Sequence, residues 1–332
     1  MKIKQSIDIN TIVNSLIGKF CLENVDQWNS QIRALSKAIT FVENDPLLAP
    51  KLLAHPNLST NATMQARIIG ITGLPGAGKS TLTNLIVKEL RKLGKKVAIF
   101  AVDPSSSLTG GAILGDRVRM HEHFRDPHVF IRSMGSRGAL GGVARATRSA
   151  IRLASVLNFD YILVETVGIG QSESEITSLA DSTVLVLMPN SGDEIQLMKS
   201  GILQLANIYV VNKCDLADSS RMIQELMENT APNEENQWHP PVLKTSAAKN
   251  EGISELVNSF FQHEEYEKNS HIGQELRTLR LRNEVLQNIL ILAEEVFREK
   301  VKQINDVEIE KLSLGKTTAM SIASELFQKE IK

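Results

Sequence analysis

The chain has 332 residues, 42% of them hydrophobic, and sets 37 Lys and Arg against 38 Asp and Glu for a net charge of -1. That is apolar material for one large α/β domain with appendages or for two modest domains, and the balanced charge gives no basis for non-specific nucleic-acid binding. Two cysteines, Cys21 and Cys214, cannot build a disulfide framework, no apolar run reaches membrane-span length, and Met1–Gln5 has neither secretory nor transit character, so a cytoplasmic protein with no membrane partner is expected.

Residues 9–44 carry apolar positions at helical spacing (Ile12, Val13, Leu16, Ile17, then Ile32, Leu35, Ile39, Phe41), and Asp45-Pro46 closes that region. Pro56 to Ala62 reads as a looser connection. Residues 1–65 therefore form an N-terminal helical extension. The run Arg67–Thr72 reads as a strand, and Thr81–Val87 opens a helix. Between them stands Gly73-Leu74-Pro75-Gly76-Ala77-Gly78-Lys79-Ser80-Thr81, the pattern G-x-x-x-x-G-K-[ST] in the strand-loop-helix setting it requires. Its glycines let consecutive N–H groups turn inward around a polyphosphate, Lys79 adds a point charge, and Ser80 offers a hydroxyl to a magnesium ion. The helix N-terminus adds partial positive charge. A nucleoside triphosphate is the expected ligand.

Further apolar runs follow at Lys96–Val102, His128–Ser133, Asp160–Glu165, Thr183–Met188, Asn207–Val211 and Pro241–Thr245, alternating with helical segments. Several are continuous Val/Ile/Leu stretches, as strands buried on both faces should be. Residues 66–264 thus read as an α/β domain with a doubly wound, mostly parallel sheet, its ligand at the strands' carboxyl ends. Three carboxylates fall at or near that edge: Asp103, Asp116 and Glu165. Each alone could be a helix cap or a surface turn. Together beside the phosphate loop they suit a hard cation held through oxygen and water. Glu165-Thr166-Val167-Gly168 sits where small GTPases carry D-x-x-G, whose glycine senses the γ-phosphate; Ile169 then replaces their water-positioning glutamine, and Gln171 stands close by. Slow unaided hydrolysis is the expectation.

Asn212-Lys213-Cys214-Asp215 places N-K-x-D directly after a strand. An aspartate there accepts from N1–H and the 2-amino group of guanine, donors that adenine lacks, so GTP and GDP are expected rather than adenine nucleotides. Thr245, Ser246, Ala247 and Ala248 follow the next strand and can supply backbone contacts to the base. Residues 265–332 change character: Leu276, Leu279, Leu281, Val285, Leu286, Ile289, Leu292, Val296 and Phe297 recur every three or four positions. These helices either pack back on the domain or form an arm for a homodimer; the length of the pattern, outside the sheet alternation, favours the arm.

Taken together, the segments 33–40, 70–81, 102–107, 110–120, 131–134, 165–173 and 192–196 make the chain resemble the methylmalonyl-CoA mutase-associated GTPase family. The resemblance implies a phosphate-loop GTPase of the signal-recognition and MinD type with N- and C-terminal helical extensions. It implies a chaperone that couples GTP state to adenosylcobalamin loading and protects a cobalamin-dependent acyl-CoA mutase, with a cobalamin adenosyltransferase upstream. The cobalamin belongs to the client; the chain itself holds GTP or GDP and Mg2+, and no permanent cofactor. By the same resemblance Ser80, Asp103, Asp116 and Glu165 form the metal shell, residues 190–199 form a third switch against the mutase, and Lys199 assists hydrolysis. The chain departs from the family's R-S-M-A-T-R-G-H-L-G-G, where Ala139 replaces the histidine. Alternatives are a metal-insertion GTPase, for which His121, His123 and His128 are close histidines without nearby cysteine, a GTP-dependent small-molecule or protein kinase, and a non-catalytic GTP-binding scaffold.

Overall fold

The computed structural model describes residues 8–17, 25–45, 48–61, 66–103, 120–135, 145–157, 159–166, 178–189, 203, 206–230 and 237–331. Contacts group Met1–Arg277 into one compact unit and Thr278–Lys332 into another.

The first unit is built on a seven-stranded sheet in the order β3-β2-β4-β1-β5-β6-β7. The strands are β1 (Arg67–Gly73), β2 (Val97–Asp103), β3 (Val129–Gly135), β4 (Tyr161–Thr166), β5 (Ser182–Leu187), β6 (Ile208–Val211) and β7 (Val242–Lys244). Every ladder between them is parallel. Each expected strand is present, shifted by no more than two residues at either end. The two-residue period divides the buried side chains between two cores. Ile69, Ile71, Val97, Ile99 and Leu163 enter one, with Leu82, Ile86 and Leu90 of α5 (Lys79–Lys92). Ile68, Ala98, Phe100, Ile162 and Val164 enter the other, with Ala150, Ile151 and Ala154 of α6 (Arg145–Ser155). Burial on both faces explains the unbroken apolar runs.

The N-terminal helices α1 (Ile9–Ile17), α2 (Val25–Asn44) and α3 (Leu48–Leu53) add Val13, Leu16, Leu35, Ile39 and Leu52 to that second core. Trp28 of α2 donates its indole N–H to the Pro127 carbonyl, meets Phe159 edge-on at 5.6 Å, and lies 4.6 Å beneath the Lys96 ammonium. The stretch from Pro56, expected to be a looser connection, instead forms a short helix α4 (Pro56–Asn61). Pro56 occupies the first helical position, where its missing N–H costs nothing. The His55 ring caps the turn by accepting from Asn57 N at 3.3 Å, and Leu58 is buried.

Two further helices, α7 (Ser220–Asn229) and α8 (Ile253–Asn269), follow β6 and β7, and α8 packs along α5. Beyond them lie α9 (His271–Val301), α10 (Asp306–Ser313) and α11 (Ala319–Ile331). In the second unit Phe297 stacks on Phe327 at 5.3 Å between ring centres. Leu279, Val285, Leu286, Ile289 and Leu290 of α9 are all close to half exposed or more. No helix among the described residues is long and apolar enough to cross a membrane.

Candidate functional site

The site begins where β1 gives way to α5. Gly73 closes β1 with φ 142°, and a Cβ on it would overlap the Val186 carbonyl of the adjacent strand β5. Gly78 caps α5 in the left-handed region at φ 91°; a Cβ there would come within 2.5 Å of Asn212 Nδ2. Both positions need glycine. Lys79 starts the helix and is buried, its ammonium donating to the carbonyls of Gly73 at 2.8 Å and Leu74 at 2.9 Å. The loop thereby holds a positive charge at its own mouth, beside the helix N-terminus, a setting suited to a polyphosphate. Leu74 and Ala77 are buried against the sheet core, and Pro75 and Gly76 face outward.

On the first turn of α5, Ser80 Oγ donates to Glu165 Oε1 at 2.6 Å. Glu165 lies on β4, the strand beside β1, and is 5% exposed. A neighbouring hydroxyl joins the two strands: Thr166 Oγ1 donates to Thr72 Oγ1 at 3.1 Å. Asp103 ends β2, on the far side of β4, paired in register with Gly135 of β3. Hydroxyl and carboxylate oxygens side by side fit a hard cation that keeps part of its water shell. Among the described residues no group of three or more His, Cys, Asp or Glu forms a complete metal site. Asp116, Gly168, Gln171 and Lys199 lie outside the described residues, as does Ala139.

The base-side elements converge on the same loop. Asn212, 1% exposed, donates Nδ2 to the Ala77 carbonyl at 2.8 Å. Its Oδ1 accepts from Thr245 Oγ1 at 3.0 Å and from Ala247 N at 3.1 Å. One side chain therefore ties the phosphate loop to both base-side loops. Thr245, expected from sequence to offer its backbone to the base, is buried, and its side chain instead works inward on Asn212. Lys213 takes φ 61°, unusual for a residue with a Cβ, and its Cε lies 4.0 Å from where a Gly78 Cβ would sit. Asp215 Oδ1 accepts from Ser246 Oγ at 2.7 Å, and that hydrogen bond holds the carboxyl below its ordinary value. An ionised carboxylate fixed this way keeps acceptor capacity for further N–H donors. Ala248 is exposed at the rim.

The close histidines point elsewhere. His123 is buried, its Nε2 donating to the Asn84 carbonyl at 3.2 Å, and burial pushes its pKa down. His128 packs 6.1 Å from Trp28 and is also lowered, chiefly by burial. The His121 side chain lies outside those described.

Residues 35–305 match the family model described as methylmalonyl Co-A mutase-associated GTPase MeaB. A Pyrococcus abyssi protein provisionally named a GTPase is 44% identical over 261 residues, covering 76% of this chain and 78% of that protein. The mouse methylmalonic aciduria type A homolog, a mitochondrial protein, is 41% identical over 252 residues, covering 70% of this chain and 61% of its own. A solved structure of an LAO/AO transport system kinase shares the fold: TM-score 0.62 and 24% identity over 98% of this chain and 99% of that one.

Proposed function

The chain belongs to the methylmalonyl-CoA mutase-associated GTPase family and is a GTPase, and from that premise we propose that it is the nucleotide-operated chaperone of an adenosylcobalamin-dependent acyl-CoA mutase, methylmalonyl-CoA mutase before others. The observation that carries this reading is the reach of the family match. It runs from residue 35 to residue 305, through the phosphate loop, the carboxylates and the base loops, and on past α9. The likeness therefore covers α9 as well as the nucleotide site.

In this reading Gly73–Thr81 hold the phosphates, Lys79 meets the charge that develops between the β- and γ-phosphates, and Asp215 with Asn212, Lys213 and Ser246–Ala248 selects guanine. Hydrolysis places a water oxygen on the γ-phosphorus and breaks its bond to the β–γ bridging oxygen, so electrostatic stabilisation of that oxygen is the protein's main contribution. Ser80 and Glu165, with Asp103 and Asp116, would hold a Mg2+ ion, which supplies charge neutralisation across the phosphates. Gly168 would sense the γ-phosphate, and Gln171 and Lys199 would assist hydrolysis once the client is bound. With Ile169 in place of a water-positioning glutamine, turnover is slow alone and rises with the mutase. A cobalamin adenosyltransferase would supply the cofactor that the switch admits to the client.

The half-exposed aliphatic residues of α9 support a homodimer built through residues 265–332, the C-terminal arm, with residues 1–65 as the N-terminal extension and 66–264 as the GTPase core. Sedimentation of the full chain tests this: a dimer dissociated by Leu279→Glu with Leu286→Glu supports it, and a monomeric wild type rejects it. The chaperone role is tested by phosphate release from GTP with and without each cobalamin mutase. Acceleration by one mutase supports the reading; no acceleration by any of them rejects it and leaves the GTPase standing.

A further inference from the structure

The edge of the sheet opposite the nucleotide site carries a buried polar cluster that the reaction does not use. Arg67, the first residue of β1, pairs its Nη1 with Glu267 Oε2 in the last turn of α8. The two side chains are 11% and 3% exposed. Arg67 Nη2 also donates to Ser182 Oγ at 3.0 Å, at the start of β5, and lies 3.1 Å from His263 Nδ1. Ser182 Oγ is in turn 2.7 Å from that nitrogen. A guanidinium has only protons to offer, so Ser182 accepts from Arg67 and His263 Nδ1 presents its lone pair. Trp238 closes over the cluster, 4.7 Å from His263 and 5.4 Å from Tyr266, and is itself fixed by Nε1 to the Asn207 carbonyl at 2.7 Å.

Where this cluster stands gives it a task. Just past Glu267 the chain turns from α8 into α9 at Ser270, whose Oγ accepts from Gly273 N at 2.8 Å. A Cβ on Gly273 would come within 2.5 Å of Glu267 Cα, so the first turn of α9 rests on the residue that Arg67 grips. Gln274 Nε2 adds a bond to the Lys268 carbonyl at 2.9 Å. The other end of α8 adjoins the base loop through the Ser246–Glu251 bridge, and Ser254 Oγ donates to Glu89 Oε1 of α5 at 3.0 Å. One helix thus touches the guanine loop, the helix that leaves the phosphate loop, the root of the strand that enters it, and the root of α9. With Arg67 bonded at once to Glu267, Ser182 and His263, and only its Nε left without a hydrogen bond, the cluster stiffens the elements it joins.

We propose that α8 is a strut that transmits nucleotide occupancy to the root of α9, residues 271–277, and that the Arg67–Glu267–Ser182–His263 cluster is its far anchor. This rests on the nucleotide-switch reading above and names the route the switch takes to the C-terminal helices. The test is amide hydrogen exchange across residues 268–280 in the full chain with GDP and with a non-hydrolysable GTP analogue, beside calorimetric affinities for both. Wild type should show a nucleotide-dependent difference in exchange there. Glu267→Gln and the milder Ser182→Ala, which leaves the charge pair in place, should lose or reduce that difference while nucleotide affinities stay within about twofold, because neither residue lies near the phosphates or base. If Glu267→Gln fails to fold, Ser182→Ala decides alone. Wild-type nucleotide binding without any exchange difference, or a full difference retained in the folded variants, overturns the strut and leaves the GTPase reading intact. Absence of nucleotide binding by wild type overturns both.

Discussion

Ser80 and Glu165 touch: the hydroxyl on the first turn of α5 donates to a carboxylate at the end of the neighbouring strand β4, 2.6 Å apart. The contact joins the loop that would hold phosphate to the segment that leads toward Gly168. A cation that takes Ser80 as a ligand must compete with this hydrogen bond, so metal and carboxylate are linked through one hydroxyl. Ser80→Ala removes the linking oxygen. Single-turnover hydrolysis of GTP with saturating Mg2+ should fall by about a hundredfold, the scale of one lost electrostatic contact. Turnover that survives the substitution would contradict the assignment of Ser80.

Asn212 makes the phosphate loop and the base loops one object. Gly78→Ala would drive a Cβ to within 2.5 Å of Asn212 Nδ2 and place an L-residue at φ 91°. It should weaken GDP and inorganic pyrophosphate binding alike, and Asn212→Ala, which removes the bonds to Ala77, Thr245 and Ala247, should do the same. Each is expected to cost on the order of 2 kcal/mol or more by calorimetry, from left-handed strain in one case and lost buried hydrogen bonds in the other. A loss confined to the base, with pyrophosphate affinity unchanged, would show that the two halves act separately.

Asp215 is the residue proposed to read the base. Asp215→Asn exchanges an acceptor for a donor, so GTP affinity should drop by about a hundredfold or more while xanthosine triphosphate, with an acceptor in place of the amino group, binds better. Ser246→Ala should give a smaller loss, because it releases the hydroxyl that holds the carboxylate in place. Competition between the two nucleotides for each variant reads both effects. Unchanged GTP preference in Asp215→Asn would remove the residue from the site.

Buried His123 and half-buried His128 set a pH dependence of stability. Burial lowers His123 and His128 below the ordinary 6.5, so as pH falls through 6.5 the unfolded chain binds protons that the folded chain does not. Their contribution is fully present above that value and is lost as pH drops toward the folded-state values. The thermal midpoint should fall between about pH 7 and about pH 5.5, and less steeply in His123→Gln, whose amide can still donate to the Asn84 carbonyl. An equal slope in wild type and variant would show that His123 does not titrate on unfolding.

The strands were legible because burial on both faces writes Val, Ile and Leu without interruption, and the phosphate loop because its glycines and lysine stand at fixed spacing. Helix α4 was not. Pro56-Asn57-Leu58-Ser59-Thr60-Asn61 has turn composition, and what makes it helical is tertiary: a cap from the His55 ring and the burial of Leu58. N-K-x-D identified Asn212 by its motif, yet gave no hint that its side chain faces Ala77 and Thr245. Arg67 and Glu267 stand 200 positions apart, with no motif to join them. Their pairing follows from the start of β1 and the end of α8 meeting at the end of the sheet where its strands begin, a relation that only the folded chain expresses.

The central claim is that nucleotide state changes how this chain holds a cobalamin mutase. The measurement that meets it most directly is calorimetric affinity for methylmalonyl-CoA mutase with GDP and with a non-hydrolysable GTP analogue. The account predicts affinities that differ by at least about fivefold, the lower range of coupling between linked sites. Equal affinity in both states, or binding to no cobalamin-dependent acyl-CoA mutase, would contradict it.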